Sequence, residues 1–253
     1  MISIAAYWRG SLSRSGALGA MSLGTIVFAA GGWTWAMLLV AFFISSSLLS
    51  HYKERIKEPL AEKFQKGHRR DLGQVLANGG AAGGCALAYA FSPQEIFFIA
   101  FLGALATVTA DTWATELGVL SARPPQLITT GRVVAVGTSG AISPLGSFIA
   151  FCGAAFIGVV GTIASDPVRI PIAVLLIAML SGFLGSLLDS LLGATVQAIY
   201  YCDYDQKETE SRWHRCGRAT RWVRGWRWLD NDGVNFIASV AGSLIAVGWY
   251  GLL

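Results

Sequence analysis

Seven stretches of this chain stay apolar for roughly the 20 residues a helix needs to cross a bilayer. They lie at about 17–31, 33–50, 72–91, 95–120, 143–165, 170–200 and 233–252. Inside lipid every backbone N–H and C=O must find its partner within the fold, so such stretches form helices. None shows the alternation of a membrane barrel. Charged residues make up 13% of the chain, against about 25% in a soluble domain. The expectation is an all-α, polytopic membrane helix bundle with about seven transmembrane helices. It is one integral-membrane domain over 1–253, with loops at 51–71, 121–142 and 201–232. Gly31-Gly32 makes a tight joint between the first two runs, and the sixth is long enough to tilt, or to break near Gly182 or Gly185. The opening residues carry no signal-peptide cleavage pattern, so the N-terminus is read as retained.

The charges then set the orientation. Lys and Arg cluster before the first run and after the second, fourth and sixth, and with seven spans those segments share one side. Of the 19 Lys and Arg, only Arg169 falls on the other. The positive-inside rule makes the crowded side cytoplasmic, or stromal in a plastid, with the N-terminus in. The opposite connections, around Ser92-Pro93-Gln94 and Asp166-Pro167, are a few residues long. A receptor for external ligands is hard to build from them. The membrane is expected to be a bacterial inner or thylakoid membrane, or a plastid envelope, with the active face cytoplasmic.

Asp111 and Asp189 interrupt the fourth and sixth apolar runs. A carboxylate at bilayer depth is costly and faces a bundle interior or a watery cavity. The two runs point the same way, so the pair can meet at matching depth. Thr112 and Ser190 follow the two Asp, and Glu116 lies further along the fourth run. Small residues around both Asp permit close helix approach. Asp111-Thr112 and Asp189-Ser190 hint at a repeat whose interface would hold a polar site.

The loops add donors and ligands. Thr129-Thr130-Gly131 and Thr138-Ser139-Gly140 are hydroxyl–glycine clusters of the kind whose backbone can cradle phosphate. Lys63, Lys66, Arg69 and Arg70 offer a phosphate clamp, or belong to a surface helix on anionic headgroups. Asp71, Gln74 and Asn78 run on from them as a polar stripe. Asp232 caps the last span or joins Asn235 as further oxygen ligands. Arg218, Arg221, Arg224 and Arg227 with Trp222, Trp226 and Trp228 look like an interfacial belt. Cys202, His214 and Cys216 are three N/S candidates for zinc, with Asp205 a fourth, although the spacing matches no common zinc module. Cys85 and Cys152 are packing residues, and no disulfide framework is indicated.

Carboxylates, hydroxyl–glycine loops and cations on one membrane face suit Mg²⁺ with phosphate oxygens and hence phosphoryl transfer. No Walker A or kinase glycine-rich loop is present. A transporter or flippase using the two Asp as proton or cation sites remains the alternative from a different class.

The segments SLLSHYKERIKEPLAEKFQKGHRRDLGQVLANGG, ADTWATELGVLS, LITTGR, VGTSG, GSLLDSLLGATVQ and WLDNDGVNF resemble the integral-membrane family that includes transmembrane protein 19 of animals and phytyl-phosphate kinase of plants and cyanobacteria. The resemblance runs from about residue 10 to 250. It implies phosphorylation of a prenyl (phytyl) phosphate to the diphosphate in tocopherol and related isoprenoid metabolism. It also implies distant similarity to CTP-using prenol kinases and to lipid cytidylyltransferases, a third functional reading. Asp111, Thr112, Glu116, Thr138, Ser139, Gly140, Asp189, Ser190, Asp232 and Asn235 fall on the family's motifs. Relatives often carry a second Cys where this chain has Asp205. On this reading Asp111 and Asp189 are catalytic and hold Mg²⁺ with Glu116, Asp232 and Asn235. A nucleoside triphosphate (CTP or ATP) is the co-substrate. Lys63, Arg69, Arg70, Asn78, Thr129, Thr130, Gly131, Thr138, Ser139 and Gly140 grip phosphate. The expected partners are the prenyl-phosphate lipid, the nucleotide, membrane lipids and, as an option, a second copy of the chain, with no nucleic acid.

Overall fold

The computed structural model of the chain describes residues 2–53, 69–164 and 171–252. These form seven α-helices and five short strands. The helices are α1 (Ile2–Trp8), α2 (Arg14–His51), α3 (Leu72–Phe91), α4 (Glu95–Gly118), α5 (Pro144–Ala164), α6 (Pro171–Thr195) and α7 (Asn231–Tyr250). Five of them, α2 and α4 to α7, are long and apolar enough to cross a membrane.

The first two apolar runs form the single element α2, which has 38 residues. Straight, it would run roughly 57 Å at 1.5 Å per residue, far more than a bilayer core of about 30 Å. Gly32 breaks it, with φ 67° and ψ −152°, a region essentially reserved for glycine. Both ends of α2 come back to Arg70. The Ser13 N–H, just before the helix, donates to the Arg70 carbonyl at 2.9 Å. Ser50, in its last turn, lines a cavity together with Arg70. The element is therefore a hairpin of two helical limbs, hinged where the glycine pair stands.

α4 is the central post. Every residue from Ile99 to Ala110 is buried, as expected of a helix apolar on all sides. Glycines set its crossings. A Cβ on Gly182 or Gly185 of α6 would run into Ala106 or Thr107 of α4, and one on Gly242 of α7 would overlap Thr107. Lipid offers no hydrophobic drive between helices, so close backbone packing of this kind holds the bundle together. α6 continues unbroken through Gly182 and Gly185; these residues serve contact rather than a break.

The chain is mostly helical, as expected, and adds short strands that the expectation did not include. Strands β1 (Gln126–Leu127) and β2 (Ala141–Ile142) pair in the 121–142 loop. Strands β3 (Ile199–Cys202), β4 (Lys207–Thr209) and β5 (Arg221–Arg224) make an antiparallel sheet of order β4-β3-β5. The fold is mostly helical, with small sheets at one end. Loop backbone at that end must close its own hydrogen bonds, and short hairpins do so.

Candidate functional site

Helix polarity alternates along the chain, so one end of the bundle gathers the C-terminal ends of α2, α4 and α6 and the N-terminal ends of α3, α5 and α7. A cavity of about 310 Å³ opens there. From the C-terminal ends it receives Ser50, Asp111, Thr112, Glu116, Asp189 and Ser190. From the N-terminal ends it receives Gln74, Asn78, Gly146, Ser147, Asn231, Asp232 and Asn235. Asp111, Glu116 and Asp189 thus lie toward helix C-termini, while Asp232 lies in the first turn of α7. Three helix starts bring partial positive charge and N–H groups, which favour an anion.

Asp111 and Asp189 meet in this cavity, as their placement in the apolar runs predicts. Asp189 Oδ2 is buried and has no hydrogen-bond partner among the described residues. Glu116 Oε1 accepts a 2.6 Å hydrogen bond from Ser50 Oγ. Asp232 and Asn235 also line the cavity. The N-cap of α7, however, is Asp230, whose Oδ1 accepts from the Gly233 N–H at 3.1 Å. Asp232 is the second residue of the helix and does not cap it. At the start of α3, Asp71 and Gln74 form a reciprocal capping box, and Asn78 Nδ2 donates to the Gln74 carbonyl at 2.9 Å.

Of the expected phosphate grip, part converges. Arg70, Asn78, Thr138, Ser139 and Gly140 line the cavity. Burial pulls the Arg70 guanidinium below its usual value and the Glu116 carboxylate pushes it back up; an arginine so placed stays charged. Arg69 does not line the cavity and sits over the Tyr7 ring at 5.9 Å. Lys63 and Lys66 lie outside the described residues. Thr129, Thr130 and Gly131 are exposed and apart from the cavity. They form the turn between β1 and Arg132, closed by Thr130 and Gly131 N–H groups on the Leu127 carbonyl, with Gly131 at φ 68°. The two hydroxyl–glycine clusters look alike in sequence, but only the second reaches the site.

The hydroxyls of that second cluster are engaged within the protein. Ser139 Oγ lies 2.8 Å from Gln197 Oε1 and donates to it, and Thr138 Oγ1 donates to the Ala135 carbonyl at 2.7 Å. Phosphate oxygens only accept, so these hydroxyls as placed have no proton left for one. Gly140 packs so closely on Ala194 that a Cβ would overlap its backbone. The cluster fixes the loop against the end of α6.

Two contributors, Gln197 and Glu210, went unnoticed in the sequence, and a third, Arg224, was read otherwise. Gln197 passes the bond from Ser139 on to Glu210, its Nε2 donating to Oε1 at 2.8 Å, and both residues line the cavity. Arg224, assigned above to an interfacial belt, turns inward. Its Nη1 donates to the Gly193 and Ala194 carbonyls at 3.0 and 2.8 Å, satisfying the last turn of α6. Burial lowers its pKa and Glu208 opposes that. Trp226 and Trp228 stay exposed and stacked, 5.4 Å apart.

Cys202, His214 and Cys216 come together with Asp205 in a cluster apart from the cavity.

The chain matches the model of the family described as integral membrane protein DUF92 over residues 1–243. Protein PGR of Arabidopsis thaliana is 33% identical over 267 residues, covering 97% of this chain and 91% of that protein. A membrane protein of Methanocaldococcus jannaschii is 30% identical over 241 residues, covering 93% of this chain and 84% of its own. Protein VTE6, chloroplastic, of Arabidopsis thaliana is 30% identical over 245 residues, covering 93% of this chain and 64% of that protein. No solved structure matches.

Proposed function

The chain belongs to the DUF92 family of integral membrane proteins, and from that premise we propose that it is a prenyl-phosphate kinase. It transfers the terminal phosphoryl group of CTP or ATP to a prenyl monophosphate such as phytyl phosphate. Similarity to a chloroplastic relative supports work in a photosynthetic or bacterial membrane. The proposal keeps seven spans, with α2 contributing two, and the cavity facing the cytoplasm or stroma.

One observation carries the reading: a cluster of carboxylates, one oxygen of which is buried with no hydrogen-bond partner among the described residues, shares a cavity with Arg70 and three helix N-termini. The donor set is all oxygen, hard, and of the kind that suits Mg²⁺. Asp111 and Asp189 would hold that ion, with Glu116, Asp232 and Asn235 at hand to complete or orient the set. Bound there, Mg²⁺ would neutralise charge on the donor's phosphates.

The chain's own groups do the remainder. Arg70 and the N-terminal turns of α3, α5 and α7 attract both phosphate groups and hold them against their mutual repulsion. The acceptor is already an anion, so no strong base is required. Its phosphate oxygen attacks the terminal phosphorus, the bond to the nucleoside diphosphate breaks, and prenyl diphosphate forms. The prenyl tail lies between helices against apolar walls, where it has little desolvation cost.

The test is product identity. Purified protein receives phytyl phosphate, Mg²⁺ and either CTP or ATP, and the lipid product is weighed by mass spectrometry. Phytyl diphosphate is the expected product. A CDP-linked lipid would make the chain a cytidylyltransferase. No product, with flux across liposomes that depends on Asp189, would make it a transporter.

A further inference from the structure

We propose that Cys202, Asp205, His214 and Cys216 form a closed Zn²⁺ site that staples the β3-β4-β5 sheet beside the cavity. The ligand atoms of all four lie within 4.8 Å of one another. The two sulfurs are 3.7 Å apart. A disulfide needs about 2.05 Å. Two thiolates on a tetrahedral zinc, each at about 2.3 Å, stand about 3.8 Å apart. Asp205 Oδ2 lies 3.9 Å from Cys202 Sγ and 2.8 Å from His214 Nδ1. Cys202 and His214 are 1% and 5% exposed, so two of the ligands are already drawn out of water.

The backbone is built for the purpose. Cys202 and Asp205 flank the turn from β3 to β4, which ends on Gln206 at φ 51°. His214 and Cys216 flank a second turn, which ends on Gly217 at φ 79° and closes with the Gly217 N–H on the His214 carbonyl at 2.9 Å. Each turn contributes two ligands, and the four ligand atoms converge. Four protein ligands leave no open position, so the ion is structural rather than catalytic. Two thiolates with an imidazole and a carboxylate favour zinc over the hard ions suited to the cavity. The staple holds the loop whose flanks carry Gln197, Glu210 and Arg224.

Metal content tests this without any assay of turnover. The full chain is purified in detergent with Cys85 and Cys152 replaced by Ala, reduced, and offered Zn²⁺. Elemental analysis should find one zinc per chain, falling at least tenfold in Cys202→Ser and Cys216→Ser. Co²⁺ in its place should give the visible bands of a tetrahedral site with thiolate charge transfer. Asp205→Cys preserves the turn and supplies a stronger ligand, so it should slow metal loss to a chelator at least tenfold. Reduced protein that takes up no zinc, or zinc retained unchanged in both Cys variants, overturns the proposal. So does equal metal loss from Asp205→Cys and its parent.

Discussion

At the scale of single residues, Asp189 carries the most. It pairs burial with an oxygen that no described group satisfies, an arrangement that costs stability unless a ligand completes it. Asp111→Asn and Asp189→Asn should each lower kcat by at least about 10²-fold, the scale seen when a charge-stabilising group is removed. Their gel-filtration profiles and helical circular dichroism should match the parent. Near-normal turnover in either variant would remove that residue from the mechanism. Ser139 is a different case, because its proton is committed to Gln197. Ser139→Ala should cost about 0.5–1.5 kcal/mol of stability, read as a lower Tm. An unchanged Tm with lost turnover would instead put the hydroxyl on substrate.

Among elements, the α4–α6 and α4–α7 crossings are set by glycine against Thr107. Gly185→Leu or Gly242→Val should cost at least the 1–3 kcal/mol or so of an overpacked core, or prevent accumulation of folded protein. The same substitution at Gly84, whose Cβ would meet nothing within 4 Å, should be tolerated; comparable loss there would show that crowding is not the cause. The α2 hinge was legible, since Gly31-Gly32 interrupts an otherwise continuous apolar run. The strands were not. They are two to four residues long, too short for alternation to register, and their hairpins depend on turns and side-chain bonds formed only in the folded loop.

For the molecule as a whole, the charge asymmetry and the positive-inside rule lead us to expect the cavity on the cytoplasmic side. In a background without cysteines, Gln94→Cys should react with an impermeant maleimide in right-side-out vesicles. Arg132→Cys should react only after permeabilisation. The reverse pattern would invert the orientation. What could be read from sequence follows the same physics. Asp111, Asp189, Gln74 and Asn78 stand out because lipid penalises them, and all four reach the cavity, whereas Asp71 of the same stripe caps α3. Gln197 and Glu210 sit in or beside a loop already rich in polar residues, where nothing marks them, and Arg224 is indistinguishable there from the arginines that face outward. Thr129-Thr130-Gly131 carried the same local signal as Thr138-Ser139-Gly140, and only the docking of the second onto Ala194 separates them.

The central claim is that two intramembrane aspartates hold a divalent cation where phosphates gather. Mn²⁺ in place of Mg²⁺ tests it most directly, with free ion counted by electron paramagnetic resonance as full-length protein is titrated with and without nucleotide. The account predicts a Mn²⁺ site that tightens when the nucleoside triphosphate is present and disappears in Asp111→Asn and in Asp189→Asn. Mn²⁺ binding that both variants leave unchanged would contradict it.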